Sequence, residues 1–368
     1  MKNKWLKIMS ISAAILIMLT ACGRTATEDN YQQKNTVPKA TEQPGKTEDK
    51  TEMEAKSEVK EQPKPEEKPE NYGDRKFQVI APAGVPTIGL LKMIKENTEI
   101  AGAKMEYESI VATDALAPKL ISGEADFAVV PSNLAIKLYN KGAEYRYVGS
   151  TVWGVLYLAA GSDEIKTWQD LKGKKIVLIG RGLTPDLTLR YLLQQNGLTP
   201  ETDVALEYVS GATELAPMFL AGKADIALLP EPMLSQVMTK KPETKVVFDI
   251  QAEWKNITNG ESYPQTAVLV KKEVIDQYPV LVETFLARLL ESVEFANIDP
   301  QTAGTYMEEI DANMKAAVIA KAIANCNLEY KDAEQSRQAL ETYFERLKEF
   351  GAENIGGKMP DENFYYQK

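Results

Sequence analysis

An internal repeat about the length of one α/β lobe restricts what this chain can fold into. Residues 116–131 read LAPKLISGEADFAVVP and residues 215–230 read LAPMFLAGKADIALLP, so eight of sixteen positions are identical at a spacing of 99 residues. Each block predicts a helix that stops at Gly123 or Gly222, then a short apolar strand and a proline. The strands are continuously apolar, which is typical of a parallel sheet covered by helices on both faces. The repeat therefore predicts two similar α/β lobes.

The segments before each block extend the correspondence. A strand predicted at 77–81 leads into a Gly-Val-Pro-Thr loop and a helix, and a strand at 175–179 leads into a Gly-Arg-Gly-Leu-Thr-Pro loop and a helix. A further strand, at 104–108 and at 205–209, follows in each half. Strand, helix, strand, helix, strand, helix occurs twice, which predicts two doubly wound three-layer α/β lobes.

Two further apolar segments are predicted to be crossover strands between the lobes, at 152–160 and at 265–271. With them, lobe 1 comprises residues 75–160 and 262–368, including C-terminal helices that pack on it, and lobe 2 comprises residues 161–261.

The N-terminal segment predicts export and membrane anchoring. Three lysines precede an apolar stretch at 8–19, as in a signal peptide of residues 1–21. The sequence Leu-Thr-Ala-Cys-Gly that follows resembles the bacterial lipobox, in which Cys22 is lipidated; a plain secretory signal is the alternative. Residues 22–74 are rich in Lys, Glu, Thr, Gln and Pro and predict a disordered tether. We expect an extracytoplasmic protein held on the cell membrane through Cys22.

Composition argues against several functions. The chain has no histidine and a formal net charge of −10. The first fact excludes Ser-His-Asp and Cys-His catalysis and disfavours a zinc site, and the second disfavours nucleic acid as a partner. Of the two cysteines, Cys326 is expected to be a buried apolar residue. We expect no cofactor and no metal. No catalytic motif in the sequence supports an enzyme of the same fold.

Several motifs resemble the nitrate, sulfonate, taurine and thiamine-precursor family of ABC solute-binding proteins, which has the type II periplasmic-binding fold. They are WQDLKGKKIVLIGRG at 168–182, LRYLLQQNGL at 189–198 and LAGKADIALLPEP at 220–232. The resemblance spans about residues 77–293. It implies a monomeric protein that captures a small-molecule solute by lobe closure and delivers it to an ABC permease and its ATPase. A surface sensor or adhesion module of the same fold is the alternative.

Candidate ligand-binding residues follow from the predicted topology, because loops at the carboxyl ends of the strands converge on the crevice of such sheets. Arg181 could bind a sulfonate or carboxylate, or could form a surface ion pair. Trp153 and Tyr263 could sandwich a heterocycle, or could pack in a hinge or core. Glu231 could accept hydrogen bonds from an amine, or could cap a helix. The full set is Gly84, Val85, Pro86, Thr87, Thr113, Ser132, Asn133, Trp153, Arg181, Gly182, Leu183, Thr184, Thr213, Glu231 and Tyr263.

Overall fold

The computed structural model describes residues 70–162 and 164–367, without the side chains of Ala212 and Thr213. The predicted signal peptide, Cys22 and the predicted tether up to residue 69 lie outside the described residues.

The described part of the chain contains twelve strands. They are β1 (Lys76–Pro82), β2 (Glu99–Ile100), β3 (Ala103–Ile110), β4 (Phe127–Pro131), β5 (Tyr145–Val152), β6 (Leu156–Ala160), β7 (Lys175–Leu178), β8 (Ala205–Tyr208), β9 (Ile226–Pro230), β10 (Lys245–Asp249), β11 (Thr266–Lys271) and β12 (Leu328–Asp332).

Thirteen α-helices accompany them in the same part of the chain. They are α1 (Val85–Ile88), α2 (Leu91–Glu96), α3 (Leu116–Ile121), α4 (Ser132–Asn140), α5 (Thr184–Gln195), α6 (Ala212–Leu220), α7 (Met233–Lys240), α8 (Ile250–Ile257), α9 (Lys272–Gln277), α10 (Pro279–Ile298), α11 (Pro300–Ile310), α12 (Ala316–Ala322) and α13 (Ala333–Phe350).

The strands form two sheets with the same core topology. The first has the order β12-β5-β11-β4-β1-β3-β2 and the second the order β10-β6-β9-β7-β8. In the first, β1 pairs in parallel with β3 and β4, and β11 runs antiparallel between β4 and β5. In the second, β7 pairs in parallel with β8 and β9, and β6 runs antiparallel between β9 and β10. The predicted α/β fold of two lobes is confirmed.

The sequence repeat corresponds to equivalent elements of the two lobes. The first block forms α3 and β4, and the second forms α6 and β9. Strand β4 is buried throughout, as its continuously apolar sequence predicts for a strand covered on both faces. Thr113 begins a short 3-10 turn before α3, and Thr213 is the second residue of α6, whose N-cap is Gly211. Neither threonine occupies the N-cap position of its helix.

The lobes exchange strands where the chain crosses between them. Strand β6, which we assigned to lobe 1, belongs to the second sheet, so the chain crosses at residues 153–155. Strand β11 belongs to the first sheet, so the chain returns between α8 and β11. The predicted crossover strands therefore correspond to β6 and β11, each of which runs antiparallel to the central parallel strands of its sheet, and the loops before them make the connections.

The C-terminal helices contact both lobes, although the sequence predicted contacts with lobe 1 alone. Helix α10 packs on the first sheet, where Phe285 stacks on Phe127 at 4.0 Å between ring centroids. Helix α12 packs on α7 and α13 packs on α5, both in lobe 2. Helix α13 starts at a capping box in which Asp332 and Gln335 bond each other's backbone N–H groups. These helices brace the lobes from outside the sheets.

The described chain already packs on lobe 1 at its first residues. The Glu70 carboxylate accepts hydrogen bonds from the backbone N–H groups of Val280 (2.7 Å) and Leu281 (3.0 Å), at the start of α10. The Tyr72 ring lies edge-on to Phe77 at 5.9 Å. Residues 70–74, which the sequence assigned to the tether, therefore make ordered contacts with lobe 1.

Candidate functional site

A cavity lies where the carboxyl ends of the parallel strands of the two sheets face each other. Its volume is about 90 Å³. The loops after β1 and β3 and the end of β4 line it from lobe 1, and the loops after β7 and β9 line it from lobe 2. Both connecting segments complete the wall. The lining residues are Pro82, Ala83, Gly84, Val85, Pro86, Thr113, Pro131, Val152, Val155, Leu156, Ile179, Gly180, Leu183, Pro185, Pro230, Glu231, Pro232, Met233, Gln265 and Thr266.

Equivalent glycine loops form the two opposing walls. Gly84 has a φ of 101° and Gly180 a φ of 73°. Residues other than glycine adopt such values only with backbone strain. Each glycine lets the chain turn from the end of a central strand into a helix, and Pro86 and Pro185 stand in the first turns of those helices. Six residues of the predicted set line the cavity: Gly84, Val85, Pro86, Thr113, Leu183 and Glu231.

Glu231 brings a carboxylate to the wall of the cavity. Its side chain is 2% exposed and accepts hydrogen bonds from the backbone N–H (3.1 Å) and the hydroxyl (3.0 Å) of Ser235. Burial raises the pKa of Glu231 above that of an ordinary glutamate, and the hydrogen bonds from Ser235 and Asn325 oppose that rise. Glu231 therefore caps the first turn of α7, as one of the two interpretations made from the sequence had it. It also lines the cavity, and a hydrogen bond from an amine there stays a prediction.

The connecting segments supply lining residues that the sequence reasoning missed. Val152, Val155 and Leu156 come from the first crossing, and Gln265 and Thr266 come from the second. The side-chain oxygen of Gln265 is buried without a hydrogen-bond partner. A signal was present, because these residues flank the predicted crossover strands and every crossover between two lobes passes beside their cleft.

Four predicted residues hold the loops in place from behind the cavity. The Asn133 side chain donates to the Gly182 carbonyl at 2.9 Å and accepts from the Thr184 hydroxyl at 3.3 Å, so it joins α4 of lobe 1 to α5 of lobe 2. The hydroxyl of Thr87 donates to the Pro82 carbonyl, and that of Ser132 to the Pro264 carbonyl. All four polar side chains, Thr87, Ser132, Asn133 and Thr184, are at most 1% exposed. They position backbone around the cavity without lining it.

Arg181 lies in a chamber next to the cavity. The chamber has a volume of about 220 Å³ and shares Thr113, Gly180 and Leu183 with the cavity. The Arg181 guanidinium stacks 4.8 Å from the centroid of the Tyr208 ring. Gly182, the next residue, donates its N–H to Asp186 at 2.7 Å and does not line the cavity.

The predicted aromatic sandwich does not form. The Trp153 indole N–H donates to the Glu329 carbonyl at 2.8 Å, and its ring faces Lys331 on the outer side of the connection. Tyr263 is fully buried against Trp254 and Tyr343. Both residues pack the connecting segments, because the chain turns their side chains away from the cleft. The side chain of the remaining candidate, Thr213, lies outside the described residues.

The shared order of the two sheets, the double connection and the cavity between the lobes define a two-lobed binding protein of the periplasmic type. The family model described as NMT1/THI5 like matches residues 101–303. This match covers more than half of the chain, which belongs to that family.

Solved structures agree with this assignment. The chain is similar to an ABC transporter protein from Parabacteroides distasonis, with 27% identity, a TM-score of 0.67 and coverage of 80% of this chain and 100% of that chain. It is similar in fold to the periplasmic aliphatic sulphonate binding protein SsuA from Escherichia coli, with 19% identity, a TM-score of 0.62 and coverage of 80% and 93%. The alkanesulfonate-binding protein SsuA from Xanthomonas axonopodis pv. citri, bound to MOPS, matches at 16% identity and a TM-score of 0.62, with coverage of 77% and 94%.

None of the curated proteins compared with the chain matches it. The resemblance to ABC solute-binding proteins found in the sequence is confirmed, and a solute-binding component of an ABC import system is the supported assignment.

No helix within residues 70–162 and 164–367 is both long and apolar enough to cross a membrane. The same residues contain no group of three or more His, Cys, Asp or Glu side chains placed to hold a metal ion.

Proposed function

We propose that this chain is the lipid-anchored, extracytoplasmic solute-binding component of an ABC importer, and that its lobes close around a small organic molecule in the cavity. The observation that supports it best is the cavity itself, which equivalent loops of two similar lobes line from opposite sides. Ligands of open α/β sheets bind at the carboxyl ends of the strands, which is where this cavity lies. The protein acts as a monomer and delivers its solute to a permease and its ATPase.

Contact between the lobes on the side away from the connections supports closure. Val111 follows β3 and Gly211 follows β8, two strands that lie away from the crossing strands in their sheets. A Cβ atom on Gly211 would lie 3.0 Å from the Val111 carbonyl oxygen. The backbones of the two lobes therefore approach closely there, and glycine permits the approach.

A larger side chain at this contact is expected to hinder closure. Gly211→Val adds bulk against the Val111 carbonyl while its backbone, with φ of −168°, suits valine. We expect the radius of gyration from X-ray scattering to decrease when the wild type receives the solute that co-purifies with it, and to stay unchanged in the variant. We also expect the variant to bind that solute at least tenfold more weakly.

The control is Gly161→Val, also in lobe 2, where the added Cβ would meet only the Lys241 amino group at 3.5 Å and the Asp225 carbonyl at 3.9 Å. This control should close like the wild type. The proposed mechanism is contradicted if the radius of gyration of Gly211→Val decreases with the solute, or if that of the wild type does not change.

Lipid anchoring is tested at Cys22. Cys22→Ser removes the thiol that would carry the diacylglycerol, and two or more acyl chains are what hold a protein stably on a membrane. In cells fed radiolabelled palmitate, we expect label on the wild type and none on the variant, which should leave the membrane fraction. Cys326→Ser, at the other cysteine, should keep the label. Labelled Cys22→Ser would refute the anchor.

A further inference from the structure

The cavity contains one ionisable side chain and no counter-charge among the described residues. That side chain is Glu231, 2% exposed. The side chain accepts hydrogen bonds from two neutral residues, Ser235 and Asn325. None of the lysines or arginines in residues 70–162 and 164–367 forms an ion pair with it. Buried carboxylates in proteins are generally paired with a cation or protonated, because removing the charge from water is unfavourable.

The second polar group of the cavity is the Gln265 amide. Gln265 is 8% exposed and its side-chain oxygen is buried without a hydrogen-bond partner. Buried polar groups are nearly always hydrogen-bonded, so an orphan at the wall of a cavity indicates where a ligand could supply the missing donor. Glu231 also has spare capacity, since an ionised carboxylate can accept about four hydrogen bonds.

Apart from the hydroxyls of Thr113 and Thr266, the rest of the wall is apolar. Six prolines line the cavity, and a proline ring has neither a charge nor a backbone N–H to offer an anion. The six are Pro82, Pro86, Pro131, Pro185, Pro230 and Pro232. Arg181, the cation that the sequence favoured for an anionic ligand, lines the neighbouring chamber instead. An anion in the cavity would therefore face a carboxylate across a medium of low polarity, where like charges repel strongly.

We propose that the solute is a small organic cation, whose positively charged amine or amidine group pairs with Glu231 and donates a hydrogen bond to Gln265. This inference rests on the proposed function and names the chemical class that the same cavity takes. The uncompensated carboxylate disfavours sulfonates and other anions. The apolar part of the solute packs against the proline rings.

Three probes that share one ring and differ in charge test the proposal. Benzamidinium, benzamide and benzenesulfonate are titrated by calorimetry into the full-length chain, purified in detergent at pH 7. We expect benzamidinium to bind at least tenfold more tightly than benzamide, and benzenesulfonate to bind more weakly than both. Equal affinities, preference for the sulfonate, or failure of benzamidinium to bind would each overturn the inference.

Variants separate the charge of Glu231 from its role in holding α7. Glu231→Gln keeps the side-chain length and an acceptor for Ser235 but removes the charge, and it should abolish the preference for benzamidinium over benzamide. Ser235→Ala removes the hydroxyl that donates to the carboxylate while keeping the charge, and the preference should survive. Arg181→Gln changes only the neighbouring chamber and should leave the order of the probes unchanged. A preference that survives in Glu231→Gln contradicts the assignment.

Acid should weaken cation binding in the wild type. Burial raises the pKa of Glu231 above that of an ordinary glutamate, so lowering the pH through the raised pKa protonates the carboxylate and removes its attraction for benzamidinium. Tyr157 and Cys326 are the other titratable groups that act on this site, and burial raises the pKa of both, so they stay neutral over that range. Affinity for benzamide should be nearly constant over the same range. Benzamidinium affinity that does not fall with acid contradicts the role of Glu231.

The outcomes distinguish this inference from the proposed function. If an anion binds and the radius of gyration decreases, the protein closes on a solute of another class, and only the inference fails. If benzamidinium binds with the expected order but no bound solute alters the radius of gyration, the cation site stands and closure fails.

Discussion

Replacing Trp254 with alanine is expected to lower the free energy of unfolding by about 3–5 kcal/mol, the usual cost of removing a large buried aromatic side chain. Trp254, on α8 of lobe 2, is fully buried. Its ring contacts three tyrosines at centroid distances of 5.2–5.6 Å: Tyr343 on α13, Tyr263 in the second connection and Tyr191 on α5. The substitution removes the centre of an aromatic cluster that joins α5 and α8 of lobe 2 to α13 and to the second connection. Urea unfolding followed by far-ultraviolet circular dichroism measures the change.

Trp254→Phe is the matched control for this prediction. Phenylalanine keeps a ring against the tyrosines, and the indole nitrogen has no hydrogen-bond partner to lose. The control should therefore lose clearly less stability than the alanine variant. If Trp254→Ala unfolds at the same urea concentration as the wild type, the cluster does not contribute to the stability of the protein.

Gly154→Ala is expected to destabilise the protein by about 2–5 kcal/mol, from left-handed backbone strain and overpacking together. Gly154 lies in the first connection with a φ of 55°. An added Cβ atom would overlap the side-chain oxygen of Gln251 and would lie 3.0 Å from the buried Tyr263 ring. Because the clash is at the crossing itself, we expect solute affinity to fall with stability. Urea unfolding and calorimetry with the co-purified solute provide the two measurements.

Gly142→Ala isolates the backbone contribution. Gly142 also has a positive φ, 87°, but nothing lies within 4 Å of the position that its Cβ would take. Strain alone should cost this control about 1–2 kcal/mol. Equal losses in the two variants would mean that Gln251 moves aside and that packing at the crossing tolerates a methyl group.

The sites of these two substitutions lie together on one side of the protein. Tyr263 contacts both the Trp254 ring and the position that a side chain at Gly154 would take. Aromatic packing therefore surrounds both connecting segments, and the proposed closure of the lobes would pivot there. The contact between Val111 and Gly211 lies on the other side of the sheets, where the opening is expected to be largest.

Local sequence signals predicted the loops of the candidate site better than its individual side chains. The loops that contain Gly84 and Gly180 follow strands with apolar sequences, so the position of these loops at the strand ends could be predicted. The direction of a side chain depends on contacts that only packing decides. Trp153 faces Glu329 and Lys331, both about 175 residues later in the chain, and no local pattern indicates such neighbours.

The sequence by itself determined the architecture of this protein. The repeated order of apolar segments and turn residues depends only on residues close together in the chain, and it is present in each lobe separately. It also determined which loops meet, since parallel strands present their carboxyl ends at one edge. Only the tertiary structure decided that β6 belongs to the second sheet, that Gln265 completes the cavity and that Arg181 lies outside it. These features depend on pairings between residues far apart in the chain, whose energies are fixed by packing and burial after the lobes come together.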